Sequence, residues 1–325
     1  MKKRTGRAII VSEDFPLLSL AQMHGSCSEL YSIHMKQLGK GNLHGFRIGV
    51  HASIAGGISK SLDRAASLHC STMQIFSHNP RQWQKSRISS QEAEQFRVLR
   101  QRYDISPVFV HVSYLINLAS LSRPLLSRSI DLLAYELQNA DCIGAEHVVL
   151  HTGSASGGDV KKARARAVKA IVQAVTSDHY RASLILENTA GERGDITSSI
   201  TALADIIDAC HCRGIAGICI DTCHAFSSGY DLTSREGVEK LISEIKKYIG
   251  LDKLKLIHLN DSKRPLDARI DRHEHIGKGF IGMKGFRNIL SDKRISKVPL
   301  ILETPKKNKE DDRRNLKRVL SILMP

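Results

Sequence analysis

Six apolar runs in this 325-residue chain close on a histidine or a carboxylate: PVFVH at His111, HVVLH at His151, LILE at Glu187, GICID at Asp221, KLIHL at His258 and PLILE at Glu303. Each is short and rich in Val, Ile and Leu, the pattern of a strand buried on both faces. Their tips lie 34 to 45 residues apart, enough each time for one strand, one helix and the turns that join them. Two further runs, FRIGV ending near His51 and TMQIF ending near Ser77, bring the number of strands to eight.

The intervening segments carry helical periodicity. GGISKSLDRAASL sets Ile58, Leu62, Ala65, Ala66 and Leu68 on one stripe, SIDLLAYELQNADCIG predicts a helix capped by Gly144, and SSITALADIIDAC predicts one opened by serine caps. Alternating strands and helices predict a parallel sheet, and eight units predict its closure. The fold class expected is α/β: a TIM-type (β/α)8 barrel over residues 45–325, with a metal site at the C-terminal ends of its strands.

Residues 1–44 stand outside this pattern. They open on the basic MKKRTGR and contain Met23 and Met35, and they read as an N-terminal extension: a disordered arm, a targeting segment or a stretch upstream of the true start. Glu13, Asp14 and Glu29 weigh against a transit peptide, which avoids acids. The expected location is cytoplasmic, with an organelle or the nucleus as the destination if 1–44 is a targeting segment. At the other end, PKKNKEDDRRNLKRVLSIL predicts a final amphipathic helix presenting Leu316, Val319, Leu320 and Ile322 to the barrel.

Composition narrows the class of partner. With 42% hydrophobic and 25% charged residues and no long uncharged apolar run, the chain offers no candidate membrane span. The formal net charge is +15, most of it outside the N-terminal extension, which suits a polyanionic partner but also any solubilising surface. Seven cysteines at 27, 70, 142, 210, 212, 219 and 223 form no C-x-x-C pair, so reduced thiols are expected in place of a disulfide framework or a thiolate zinc site.

Nine residues at strand tips, or in the loops just beyond them, form a candidate constellation: His111, His151, Glu187, Asp221, His224, His258, Asp271, His273 and Glu303. Five imidazoles and four carboxylates without a thiolate make a nitrogen and oxygen ligand set suited to Zn²⁺ or Mn²⁺. One histidine at a strand tip is usually a hydrogen-bonded structural residue. Six strands that place only His, Asp or Glu at one barrel face are hard to obtain from packing, because carboxylates buried there are costly unless paired or metal-bound. Nine ligands suit three ions if one carboxylate is shared. Three divalent ions against four carboxylates leave about two net positive charges, which favours a phosphodiester substrate and, with it, hydrolysis.

The strings HASIAGG, NPRQW, HVSYLINL, LENTAGE, CIDTCHAFSSGYDL, HLNDSK, DRHEHIGKGFIG and LILETP resemble the endonuclease IV family of apurinic/apyrimidinic endonucleases, from residue 46 to about 305. The resemblance implies a three-zinc enzyme, with Mn²⁺ as an alternative at one site. It would cut double-stranded DNA 5′ to abasic sites in base-excision repair, leaving 3′-hydroxyl and 5′-deoxyribose phosphate ends, and would trim blocked 3′ ends. It implies that His111, His151 and Glu187 hold the first ion, that Glu187, Asp221, His258 and Glu303 hold the second, and that His224, Asp271 and His273 hold the third. Glu187 is then both the bridge and the catalytic carboxylate. The resemblance further implies that Arg81, Gln82, Tyr114 and Leu115 enter the duplex, and that the enzyme is a monomer. His111-Val112-Ser113 and His151-Thr152-Gly153 depart from the usual family steps, as does the loop start SHNPRQW; these changes bear on rate and loop geometry.

Two other readings remain open at this point. A sugar isomerase or epimerase on a related barrel would use His, Asp and Glu at the same face for one or two ions, without need of Asp271, His273, Arg81 or Tyr114. A non-catalytic binder of damaged DNA would keep the fold and lose the chemistry, although all nine ligand types are present here.

Overall fold

The computed structural model describes residues 46–324 apart from Cys212. The extension expected over 1–44, with Cys27, His24, His34 and His44, lies outside the described residues, as does Cys212.

Strands β1 (Ile48–Val50), β2 (Met73–Phe76), β3 (Val108–His111), β4 (His147–Leu150), β5 (Ser183–Glu187), β6 (Ile215–Asp221), β7 (Leu254–His258) and β10 (Leu300–Leu302) form one parallel sheet. Its order runs β1-β10-β7-β6-β5-β4-β3-β2. The two outer strands meet where His51 bridges Gln74 in parallel and Ala52 N donates to Gln74 O at 2.7 Å, which closes the barrel. The eight expected strands and their closure are thus observed, and they follow from the eight βα repeats.

Helices α1 (Lys60–Ser67), α2 (Ser90–Arg102), α3 (Arg123–Ile143), α4 (Val160–Val175), α5 (Ile200–Ala209), α7 (Arg235–Tyr248) and α8 (Gly282–Leu290) alternate with the strands. Gly144 ends α3 in the left-handed region at φ 73°, a conformation that glycine adopts without a Cβ clash, and the Ser199 side chain caps α5 through Ala202 N. The last helix, α9 (Asp311–Leu323), buries Leu316, Val319, Leu320 and Leu323, so its inner stripe advances to 323 and leaves Ile322 half-buried.

Two short elements had no counterpart in the sequence reading. A six-residue helix α6 (Thr222–Ser227) follows β6 directly, and a two-stranded antiparallel ribbon pairs β8 (Asp261–Ser262) with β9 (His273–Glu274). Both occupy the top of the barrel, where they position side chains of the site.

Side chains along a strand alternate between faces, so a residue two before an inward-pointing tip also points inward. Phe109, Val149, Ile185, Cys219, Leu256 and Ile301 lie two before His111, His151, Glu187, Asp221, His258 and Glu303, and they pack as one fully buried cluster. The barrel interior is therefore a dry apolar floor with a polar layer directly above it.

Candidate metal centre

Strand tips place most of the nine candidate ligands. His111, Glu187, Asp221 and His258 are the last residues of β3, β5, β6 and β7, while His151 and Glu303 come one residue after β4 and β10. His224 arrives on α6, which starts at once because the Asp221 carboxylate caps it, accepting from His224 N at 2.9 Å. Asp271 and His273 are folded back over the barrel by the ribbon, in which His273 pairs with Ser262.

These residues converge as three groups, each with its ligand atoms within 4.8 Å of one another: His111, His151 and Glu187; Glu187, Asp221, His258 and Glu303; and His224, Asp271 and His273. Glu187, wholly buried, joins the first two. Its Oε2 lies 2.9 Å from His151 Nε2 and 3.3 Å from His111 Nε2, and its Oε1 lies 2.9 Å from His258 Nδ1. His258 Nδ1 is also 3.3 Å from Glu303 Oε2. Asp271 faces both imidazoles of the third group, at 3.2 Å from His224 Nε2 and 3.3 Å from His273 Nε2. His273 Nε2 is 3.4 Å from Asp221 Oδ2, so the third group borders the second.

The other nitrogen of four of these histidines is tied down. His111 Nδ1 donates to Val112 O (2.8 Å), His224 Nδ1 to Asn188 O (2.9 Å), His273 Nδ1 to Glu303 O (3.1 Å) and His258 Nε2 to Gln74 Oε1 (2.8 Å). An acceptor on one ring nitrogen fixes the tautomer and leaves the opposite nitrogen's lone pair facing the cluster, the arrangement a metal-binding histidine requires. His224 Nε2 and His273 Nε2 are buried without a hydrogen bond, and an ion within the third group would satisfy both. The donor set therefore fits divalent ions.

The electrostatics agree. Burial raises the Glu187 and Glu303 carboxyls, yet the surrounding imidazoles, chiefly His151 and His258 for the former and His258 for the latter, hold both well below the usual carboxylate range. Burial likewise works against charge on His258 and His224. Around the first, where the Cys219 thiol is neutral, the carboxylates of Glu187 and Glu303, and around the second those of Asp221, Asp271 and Glu187, hold these imidazoles well above their ordinary value. Without ions, bound protons take their place, so metal binding must release protons. Two thiols border the groups, but burial pushes Cys219 up to about 12 and raises Cys223 as well, so neither is available as a thiolate. Among the described residues no two cysteines form a disulfide.

Sequence reasoning missed Gln74 and His51. Gln74, fully buried in β2, donates to Glu303 Oε1 at 2.6 Å while accepting from His258; His51 lies 3.2 Å from the same Glu303 oxygen. The available signal was a glutamine inside the apolar run TMQIF, where an unpaired amide would be costly. Asn260 was missed too: it donates to Asp221 Oδ2 at 2.7 Å and accepts from Glu303 N at 2.8 Å.

Above the centre lies a cleft of about 930 Å³ whose lining includes His111, His151, Glu303, Arg81 and Tyr114. Tyr114 is 67% exposed and stands edge-on to Phe76, with ring centroids 5.2 Å apart. Gln82 is exposed and Leu115 half-buried on the same two loops, although neither is among the residues that line the cleft.

The model of a family described as a xylose isomerase-like TIM barrel matches residues 62–323. A probable endonuclease 4 of Halothermothrix orenii is 41% identical over 260 residues, 80% of this chain and 94% of that protein. The chain belongs to the endonuclease IV family. The solved endonuclease IV of Thermus thermophilus superposes with a TM-score of 0.76 at 34% identity, covering 85% of this chain and 98% of that one. A D-tagatose 3-epimerase-like protein, at 19% identity, a TM-score of 0.65 and coverage of 85% and 98%, shares the fold alone.

Proposed function

We propose that this chain is a metal-dependent DNA repair endonuclease that hydrolyses the phosphodiester 5′ to abasic sites in double-stranded DNA. It leaves a 3′-hydroxyl and a 5′-deoxyribose phosphate, and it also trims blocked 3′ ends. The observation that carries this reading is the set of three nitrogen-and-oxygen groups linked through Glu187 and Asp221, beneath a cleft bordered by Arg81 and Tyr114. The Thermus relative and the endonuclease 4 relatives, matched along nearly their whole length, support it.

In this reading His111, His151 and Glu187 hold one zinc ion, Glu187, Asp221, His258 and Glu303 a second, and His224, Asp271 and His273 a third, one of which could be Mn²⁺. The bound ions supply Lewis acidity and an activated water nucleophile. Glu187 is assigned the catalytic role: its two oxygens face different groups and keep their spacing fixed. The second carboxylate, Glu303, is oriented by Gln74 and His51. The apolar floor two residues below excludes water from behind the site.

An abasic nucleotide lacks one base of stacking, so it leaves the helix at lower cost than an intact one. Arg81, Gln82, Tyr114 and Leu115 are assigned to the duplex, where a planar guanidinium or an aromatic ring fills the gap. The isomerase alternative leaves the third group and the exposed Tyr114 without a task. Among the described residues no helix is long and apolar enough to cross a membrane. A monomer acting in the cytoplasm, with residues 1–44 as an extension of the catalytic domain, completes the proposal.

The test is a duplex carrying one tetrahydrofuran lesion. The purified protein nicks it once, on the 5′ side, loses the activity on prolonged chelation and regains it with zinc. Tight lesion binding without cleavage would establish the non-catalytic binder instead, and wild-type activity in Glu187→Ala would overturn the assignment of Glu187.

A further inference from the structure

Two loops carry the residues assigned to the duplex, and one buried carboxylate lies beneath both. Glu136 on α3 is wholly buried and takes no part in the metal groups. Its Oε2 accepts from Ser77 Oγ, where the Arg81 loop leaves β2. Its Oε1 accepts from Ser113 N at 3.2 Å, where the Tyr114 loop leaves β3, and lies 3.3 Å from His78 Nδ1. One turn along α3, Asn139 Nδ2 donates to the same Ser77 Oγ at 3.0 Å. Ser77, His78, Ser113 and Asn139 are all buried, so water does not substitute for these bonds.

The loops are also tied to each other. Ser113 Oγ donates to Pro80 O at 2.7 Å, next to Arg81, and accepts from Leu115 N at 3.2 Å. Farther out, α3 continues to hold the first loop: Arg128 lies over the Trp83 ring at 4.2 Å, Lys85 Nζ donates to Asp131 O at 2.9 Å, and Tyr135 Oη donates to Ser86 O. Burial disfavours charge on His78, but Glu136 overcomes it and raises the imidazole's pKa, consistent with a charge-assisted pair at the loop base.

We infer that Glu136 is a positioning residue that sets the Arg81 loop and the Tyr114 loop at a fixed spacing over the cleft. This rests on the reading of those loops as the duplex-facing elements. A carboxylate suits the task because it accepts from several donors at once. A glutamine of the same shape offers one acceptor oxygen and turns an NH₂ group toward donors. Loops released from this anchor still reach DNA, but they no longer present both side chains to one lesion without an ordering cost.

The test uses the zinc-loaded enzyme and a tetrahydrofuran duplex with 2-aminopurine beside the lesion, comparing Glu136→Gln, Ser77→Ala, Arg81→Ala and Tyr114→Ala. Expected for Glu136→Gln is a rise in KM of roughly tenfold or more, with kcat and bound metal within about twofold of wild type and the lesion-dependent fluorescence rise diminished. Ser77→Ala, which removes one bond and no charge, shifts the same readings in the same direction by less, and it decides the matter if Glu136→Gln fails to fold. If Arg81→Ala and Tyr114→Ala raise KM while Glu136→Gln and Ser77→Ala match wild type, the inference about Glu136 is wrong and the reading of the loops stands. Loss of kcat or metal with KM unchanged also overturns it, since that is a general structural defect. If Arg81→Ala and Tyr114→Ala themselves leave KM and fluorescence unchanged, the loop reading fails and the inference with it.

Discussion

Replacing Gln74 by methionine keeps the bulk of the side chain but removes both polar atoms that grip His258 and Glu303. The amide accepts from His258 Nε2 at 2.8 Å and donates to Glu303 Oε1 at 2.6 Å, with a further contact to His51 Nδ1 at 3.0 Å. Without the acceptor, nothing favours the tautomer that turns the Nδ1 lone pair toward Glu187. Outer partners of metal-binding histidines are worth about 10–100-fold in metal affinity, or roughly 1.4–2.7 kcal/mol. That agrees with the roughly 1.5–3 kcal/mol of one hydrogen bond to a charged group. The assay is a zinc titration of the metal-stripped variant against a chromophoric chelator. One of the three sites should weaken by about 10–100-fold, and nicking should return at excess zinc. The His258 nitrogen left unpaired should also lower the melting temperature of the metal-free protein by roughly 2–4 °C for each kcal/mol lost. Zinc affinities within twofold of wild type at all sites would refute the argument.

Other predictions concern the scaffold. Phe109→Ala empties part of the fully buried layer beneath the ligands and should cost about 3–5 kcal/mol by urea unfolding, whereas an exposed site such as Val98 should tolerate alanine. Gly49→Ala would place a Cβ 1.8 Å from the Thr72 carbonyl oxygen, a backbone atom that cannot step aside, so about 3 kcal/mol or more of stability should be lost, read as a lower melting temperature or as insoluble protein. Burial pushes the Cys70 thiol up to about 12 from its usual 9.0. Between these values the unfolded chain gives up its proton and the folded chain does not, so this contribution is intact below pH 9 and fades as pH rises toward 12. Urea unfolding at pH 8 and pH 10.5 should show a steeper alkaline loss in the parent than in Cys70→Ala.

The barrel and six of the nine candidate ligands were legible because each strand reads as an apolar run and each tip as a polar stop, a signal repeated six times at intervals of 34 to 45 residues. The period-2 rule links the two: the hydrophobic residue two before each tip is the floor, from Phe109 under His111 to Ile301 under Glu303. What the residues beside the ligands do was harder to read. Gln74 sits inside an apolar run, Glu136 inside a helix and Asn260 in the short loop between β7 and β8, and their partners lie 229, 59 and 43 positions away in the chain. No local pattern encodes such pairs. The ribbon that brings Asp271 and His273 over the site rests on two residues per strand, too few to leave a periodicity. Glycine and turn residues around it mark only a loop.

Three ions held in three groups linked through Glu187 and Asp221 are central to the proposed chemistry, and anomalous diffraction at the zinc edge from crystals of zinc-loaded protein addresses that directly. Three peaks are expected: one among His111, His151 and Glu187, one among Glu187, Asp221, His258 and Glu303, and one among His224, Asp271 and His273. A single peak, or zinc bound away from Glu187, would contradict it.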